Sequence, residues 1–204
     1  VWSQPRLLLE VNIDRSDNIG LAISRLQSSL NIDQKNAFLQ KELGDLYRIS
    51  NQLDKARDAY LMAMSLGLSS ATLDRNLAIS YEQLEEDHLA EDSFKSALRK
   101  NPQDPFTLNY LGYWWADEGR NLKEAVELIT KAVKLYPENG YYADSLGWVY
   151  FKIGNTKKAV TWLERAVQLA PGDAVIHDHL GDVYWHLGRL LEARYKWQFA
   201  YQMY

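Results

Sequence analysis

Residues 140–173 read GYYADSLGWVYFKIGNTKKAVTWLERAVQLAPGD, and the spacing of small and large side chains in this stretch decides how the rest of the chain is read. Leu146, Gly147 and Tyr150 lie three and four apart, the stripe of a first helix that stops at Gly154, a residue suited to the left-handed turn beyond a helix end. Ala159, Leu163 and Ala166 form the matching stripe of a second helix. Gly147 and the two alanines remove bulk where the helices must approach, while Tyr150 and Leu163 fill the space beside them. Pro171 ends the second helix, and Asp173 can cap the next one.

The same pattern slides along the chain. The Leu-Gly-x-x-Tyr signature recurs as Leu43, Gly44, Tyr47; as Leu77, Ala78, Tyr81; as Leu111, Gly112, Trp115; and as Leu180, Gly181, Tyr184. Each copy is followed by its second-helix partner: Ala56, Tyr60, Ala63; Ala90, Phe94, Ala97; Ala125, Ile129, Ala132; Ala193, Trp197, Ala200. The period is 34 residues, lengthened once by an extra residue between Gly119 and Ala125. From about Ala37 onward the chain resembles the tetratricopeptide repeat (TPR) family. The resemblance implies an all-α, right-handed TPR solenoid of antiparallel helix pairs: five full repeats at 37–70, 71–104, 105–139, 140–173 and 174–204, in one domain with a degenerate repeat or cap at 1–36.

With 204 residues, 47% hydrophobic and 25% charged, the chain can bury a continuous core spread over stacked repeats. A net charge of -4 with interspersed signs favours neither nucleic acid nor an anionic membrane, both of which reward a basic surface. Zero cysteines exclude disulfides, thiolate metal sites and cysteine nucleophiles. No apolar run has the roughly 18 residues a membrane helix needs. Val1 in place of a methionine suggests a piece of a longer protein.

Within 1–36, Leu7 to Val11 suits a short helix, and Ile19, Ala22, Ile23, Leu26 and Leu30 make a helical stripe, with Glu10 standing where glycine belongs. Asp104 followed by Pro105 places a capping carboxylate before a proline at the first helical position. At the other end, Trp197, Ala200, Tyr201 and Tyr204 are expected to meet water unless another chain covers them, so self-association through this helix is an expected alternative role. The phrases LNYLGYWWADEGRNLKEA, DSLGWVYFKIG and DHLGDVYWHLGRLLEA make the last hundred or so residues similar to a subset of bacterial envelope TPR proteins. That narrower resemblance implies an exported adaptor presenting partners to envelope proteases or assembly machinery.

In the family the first helices line a concave side. Reading the corresponding positions here gives charged residues early, Lys41, Asp45, Arg48, Arg75 and Glu82, and aromatic ones later. The expected partner-binding set is Phe106, Asn109, Tyr113, Tyr141, Asp144, Trp148, Phe151, Asp178 and Trp185: rings as rigid apolar anchors, and Asn109, Asp144 and Asp178 as polar groups for a peptide backbone. The competing reading packs these rings between neighbouring first helices. Chaperone-binding members of the family hold a C-terminal carboxylate in a basic clamp. Here Lys41 and Asn76 match it, but Asp45, Phe106 and Tyr110 replace its other members, which leaves Lys41, Arg75 and Asn76 as expected solvated surface.

His179, Asp182 and His186 share one helix face, but a single-helix trio leaves zinc short of ligands, so neither metal nor cofactor is expected. No nucleophile elbow, phosphate loop or enclosed carboxylate pair points to an enzyme. The expected function is a scaffold or adaptor that binds a protein or peptide through its concave face; the remaining alternative is the regulatory arm of a larger enzyme.

Overall fold

Each copy of the small-and-large pattern becomes a helical hairpin. A computed structural model describes residues 13–203, with side chains from residue 18 onward. It contains α1 Ile13–Ile32, α2 Ala37–Ile49, α3 Leu53–Ser65, α4 Ala71–Gln83, α5 Asp87–Lys100, α6 Pro105–Asp117, α7 Leu122–Leu135, α8 Gly140–Lys152, α9 Thr156–Leu169, α10 Ala174–His186 and α11 Leu190–Met203, with no strand among the described residues. Two compact units divide the chain, Val1–Pro102 and Gln103–Tyr204. In the first, α2 pairs with α3 and α4 with α5, α3 packs on α4, and α1 lies against α2. In the second, α6 pairs with α7, α8 with α9 and α10 with α11, while α6, α8 and α10 pack in succession as one layer of first helices.

The hairpin core follows from two sequence positions. Tyr60, Phe94, Ile129 and Leu163, one from each of the first four second helices, are completely buried, each worth about 1.5–3 kcal/mol relative to exposure. The residue they press against must be small: a Cβ on Gly147 would lie 2.6 Å from Leu163 Cγ, and one on Gly181 would lie 2.5 Å from the Trp197 ring. Glycine is required there for closeness of approach and not for backbone freedom.

Turns and caps fix the lengths. Asn51, Glu85, Gly119, Gly154 and Gly188 take φ of 59, 61, 70, 79 and 73°. The next residue's N–H then bonds back to the carbonyl of Tyr47, Tyr81, Trp115, Tyr150 or Tyr184 at 2.8–2.9 Å, the left-handed closure that satisfies a helix C-terminus. The longer third turn holds a second left-handed residue, Asn121 at 48°. First helices start on side-chain caps from Asn36, Ser70, Asn139 and Asp173, each worth about 1 kcal/mol.

The expected Ile19 to Leu30 stripe lies on one 20-residue helix, α1, with Leu30 buried, while Leu7 to Val11 lie outside the described residues. Two expectations change. Asp104 accepts the Thr107 hydroxyl and not a backbone N–H, although Pro105 does open α6. Trp197 and Ala200 face α10 inside their own hairpin, so they are not the apolar surface of α11. That surface is Leu190, Leu191, Tyr195, Tyr201 and Met203, with Tyr204 outside the described residues.

Candidate functional site

In the first unit, Lys41 and Asn76, expected as solvated surface, join a network around Asp45 instead. Lys41 donates to Asp45 Oδ2 at 2.6 Å, while Asp45 Oδ1 accepts the Tyr60 hydroxyl at 2.7 Å and Asn76 Nδ2 at 2.8 Å. Asn76 is buried, because its amide is needed to satisfy a carboxylate held between two helix pairs. Burial, then the Asp45 carboxylate, pushes the Tyr60 phenol far above its usual range. A peptide carboxylate arriving at Lys41 would meet Asp45 already there, so this unit does not carry the basic clamp.

In the second unit, rings run without interruption across α6, α8 and α10. Tyr113 lies 6.3 Å from His179, His179 stacks on Trp148 at 4.2 Å with the planes 17° apart, Trp148 meets Phe151 at 5.5 Å, and Phe151 meets His186 edge-on at 5.4 Å. Tyr113, Trp148 and Phe151 are half-buried in this row, as the packing alternative required. Phe106, Tyr141 and Trp185 stand out from it, 45, 43 and 57% exposed. The two readings of the aromatics therefore apply to different residues: some knit the first helices together, and others face outward.

The polar members divide in the same way. Asp144 and His179 are only 6 and 8% exposed, and His179 Nδ1 donates to both Asp144 oxygens at 2.9 and 3.0 Å. Asp144 thus has its acceptors engaged by the next repeat, which takes it out of direct reach of a peptide. Burial lowers the His179 pKa, but Asp144, helped by Asp178 and Asp182, outweighs burial and leaves it raised. Asn109 Oδ1 and Trp148 Nε1 are enclosed atoms without hydrogen-bond partners among the described residues. Asp178 is half-exposed and makes no hydrogen bond or ion pair among the described residues; burial first, then the Asp182 charge, raises its pKa, with His179 acting the other way.

The trio on α10 does not converge. His179 turns to Asp144, Asp182 accepts Trp197 Nε1 at 3.1 Å, and His186 abuts Phe151. Among the described residues no three His, Cys, Asp or Glu side chains gather to hold a metal ion, and no helix is long and apolar enough to cross a membrane. The links Asp144–His179 and Asp45–Asn76 escaped sequence reading. The available signal was a set of polar residues facing each other in adjacent repeats at separations of 35 and 31.

Residues 72–139 match the family described as YpiA-like, C-terminal tetratricopeptide repeats, and residues 147–188 match the TPR repeat family. The chain is a tetratricopeptide repeat protein. Among curated relatives of this TPR chain, the TPR repeat-containing protein PA4667 of Pseudomonas aeruginosa is 32% identical over 126 residues, 60% of this chain but 21% of the relative, so the chain spans about a fifth of that protein's length. The photosystem I assembly protein Ycf3 of Prochlorococcus marinus is 29% identical over 134 residues, 57% of this chain and 75% of the relative. Among solved structures, the TPR protein YrrB, described as having an unusual peptide-binding site, superposes with a TM-score of 0.67 at 22% identity over 87% of each chain, a likeness of fold. TPR proteins generally mediate protein–protein interactions, and an all-α TPR solenoid is the fold class of this one.

Proposed function

We infer that this chain is a scaffold or adaptor that binds an extended or helical peptide segment, with apolar anchors, along the first-helix face of its second unit. The observation that carries the reading is the ring row from Tyr113 through His179, Trp148 and Phe151 to His186, with Phe106, Tyr141 and Trp185 standing exposed beside it. Rings locked by stacking contribute contact area at little entropic cost. Asp144 serves this surface indirectly by holding His179 beneath Trp148. The peptide-binding site named for YrrB and the assembly role named for Ycf3 belong to those proteins, and they support a binding role here over catalysis.

The test is selection of binders from a displayed random peptide library on the whole chain, followed by affinity measurement on variants. Tyr141→Ala and Trp148→Ala should each weaken the best peptide about thirtyfold, the loss of one buried anchor worth about 2 kcal/mol. Tyr141 is the cleaner probe because its ring is exposed. A selected peptide that binds both variants as well as the parent chain refutes the reading.

A second reading, self-association through α11, is favoured by the exposed Leu191, Tyr195 and Tyr201. Light scattering should then show a concentration-dependent mass that Leu191→Lys abolishes, and a mass that stays monomeric at high concentration would remove the idea.

A further inference from the structure

The charge on the aromatic face of the second unit is not balanced, and the imbalance is local. Four carboxylates lie at face positions of α6, α8 and α10: Asp117, Asp144, Asp178 and Asp182. Two of them have their own cations. Lys152 lies 3.9 Å from the Asp117 carboxylate and donates to the Asp117 carbonyl at 3.0 Å, and His179 is bonded to Asp144. The other two share only the more distant charge of His179, which is already bonded to Asp144. Asp182 accepts the neutral indole N–H of Trp197, and Asp178 makes no hydrogen bond or ion pair among the described residues.

Asp178, Asp182 and Trp185 are spaced i, i+4 and i+7 along α10, so they fall on one face of the helix, with the Trp185 ring 57% exposed. Like charges at i, i+4 destabilise a helix. Burial first, then the Asp182 charge, hold the Asp178 carboxyl above the ordinary range, with His179 acting the other way. The protein itself shows which chemistry this face accepts. Lys152 Nζ sits 5.2 Å from the centre of the Trp148 ring, bonded to the Asp117 backbone carbonyl and 3.9 Å from the Asp117 carboxylate, so one cation lies near both an aromatic face and an acid. The Asp178–Asp182–Trp185 face has the same acids and ring without the cation.

We propose, on the footing that the ring row is a peptide-binding surface, that its partner segment is basic and places an arginine or lysine side chain between Asp178 and Asp182 against Trp185, with its apolar anchors on Tyr141 and Trp148. Arginine fits this face best, since its flat guanidinium stacks on indole and donates to two carboxylates at once.

The experiment is the same displayed-library selection, read now for composition and repeated on Asp178→Asn. Peptides won on the parent chain should be enriched in Arg or Lys next to apolar residues, should lose at least about tenfold in affinity on Asp178→Asn, and should weaken with added salt. Folding is not at risk in this variant, because it removes an uncompensated charge, and an unchanged circular dichroism spectrum checks that. Winners without Arg or Lys, or cationic winners that bind Asp178→Asn undiminished, overturn the basic partner while leaving the groove intact if Tyr141→Ala still weakens them. Winners indifferent to Tyr141→Ala and Trp148→Ala overturn the groove and this proposal with it.

Discussion

Removing the Asp144 side chain should destabilise the second unit, and should do so most under acidic conditions. His179 is 8% exposed and its Nδ1–H is held by both Asp144 oxygens at 2.9 and 3.0 Å. Burial lowers the His179 pKa, and Asp144, Asp178 and Asp182 together reverse that, so the folded value lies above the unfolded one of about 6.5. A raised folded pKa contributes stability that is full below the unfolded value and is lost as pH rises through the folded value. At about pH 5.5 the wild-type pair is therefore ionic, and Asp144→Ala strands a buried cation at a cost of about 3–5 kcal/mol. Above the folded pKa the imidazole is neutral and the variant loses one buried hydrogen bond, about 1–3 kcal/mol. Asp144→Asn keeps the volume and an acceptor but not the charge, so its deficit should be small in alkali and large in acid. Urea denaturation on both sides of the folded pKa gives the stabilities, and histidine NMR gives the titrations directly. His179 should titrate above 6.5 in the parent chain and fall in Asp144→Asn, while His177, whose pKa burial lowers, should titrate below its ordinary value. An equal penalty for Asp144→Ala at both pH values, or a parent His179 that titrates at or below 6.5, refutes the reasoning.

Packing makes two further predictions. Ala159 is fully buried among Leu163, Leu180, Val183 and Tyr184, so Ala159→Leu should cost about 1–3 kcal/mol by overpacking; by contrast a Cβ on Gly20 in α1 meets nothing within 4 Å, and Gly20→Ala should stabilise by about 0.5–1 kcal/mol, both read from denaturation midpoints. Tyr60→Phe should cost about 1–2 kcal/mol, because Asp45 loses a donor in a site where Asn76 and Lys41 remain, and an unchanged midpoint would show that water replaces the hydroxyl.

The hairpins were legible because their cause is local. A glycine opposite a large residue 16 positions on, as with Gly147 and Leu163, and a left-handed residue at each turn, are conditions a single repeat must satisfy alone. The one-residue insertion before Ala125 was visible for the same reason, and it became a turn with two left-handed residues, Gly119 and Asn121. What escaped depends on the offset between neighbouring first helices. Asp144 looked like a groove acceptor because nothing in its own repeat needs it; His179, 35 residues later, does. Asn76 looked solvated because its partner Asp45 lies 31 residues earlier. The aromatic set divides by the same offset: His179 of the next first helix stacks on Trp148, whereas Trp185 meets Trp197 of its own hairpin and stays 57% exposed.

One rule nevertheless connects the charged and aromatic parts of these first helices, and it lies inside the hairpin. The ninth residue of the repeats is Asp45, Ile79, Tyr113, Trp148 and Asp182, and the residue fifteen further on, or sixteen in the third repeat with its inserted residue, is Tyr60, Phe94, Ile129, Leu163 and Trp197. Aspartate occurs only where that second-helix partner carries an O–H or N–H, and in both cases the bond is made, at 2.7 Å to Tyr60 and 3.1 Å to Trp197. A carboxylate half-enclosed beside a purely apolar partner would lack that donor. Gly44 and Gly181 let the donor ring lie close, since a Cβ at either would come within 2.6 Å of it. Where the second helix offers only Ile129 or Leu163, the ninth position is instead a ring, Tyr113 or Trp148, and it is these rings that meet His179 across the first-helix layer. The ninth position is thus set from behind: a donor on the second helix permits an aspartate there, and its absence leaves the position to Ile79, Tyr113 or Trp148.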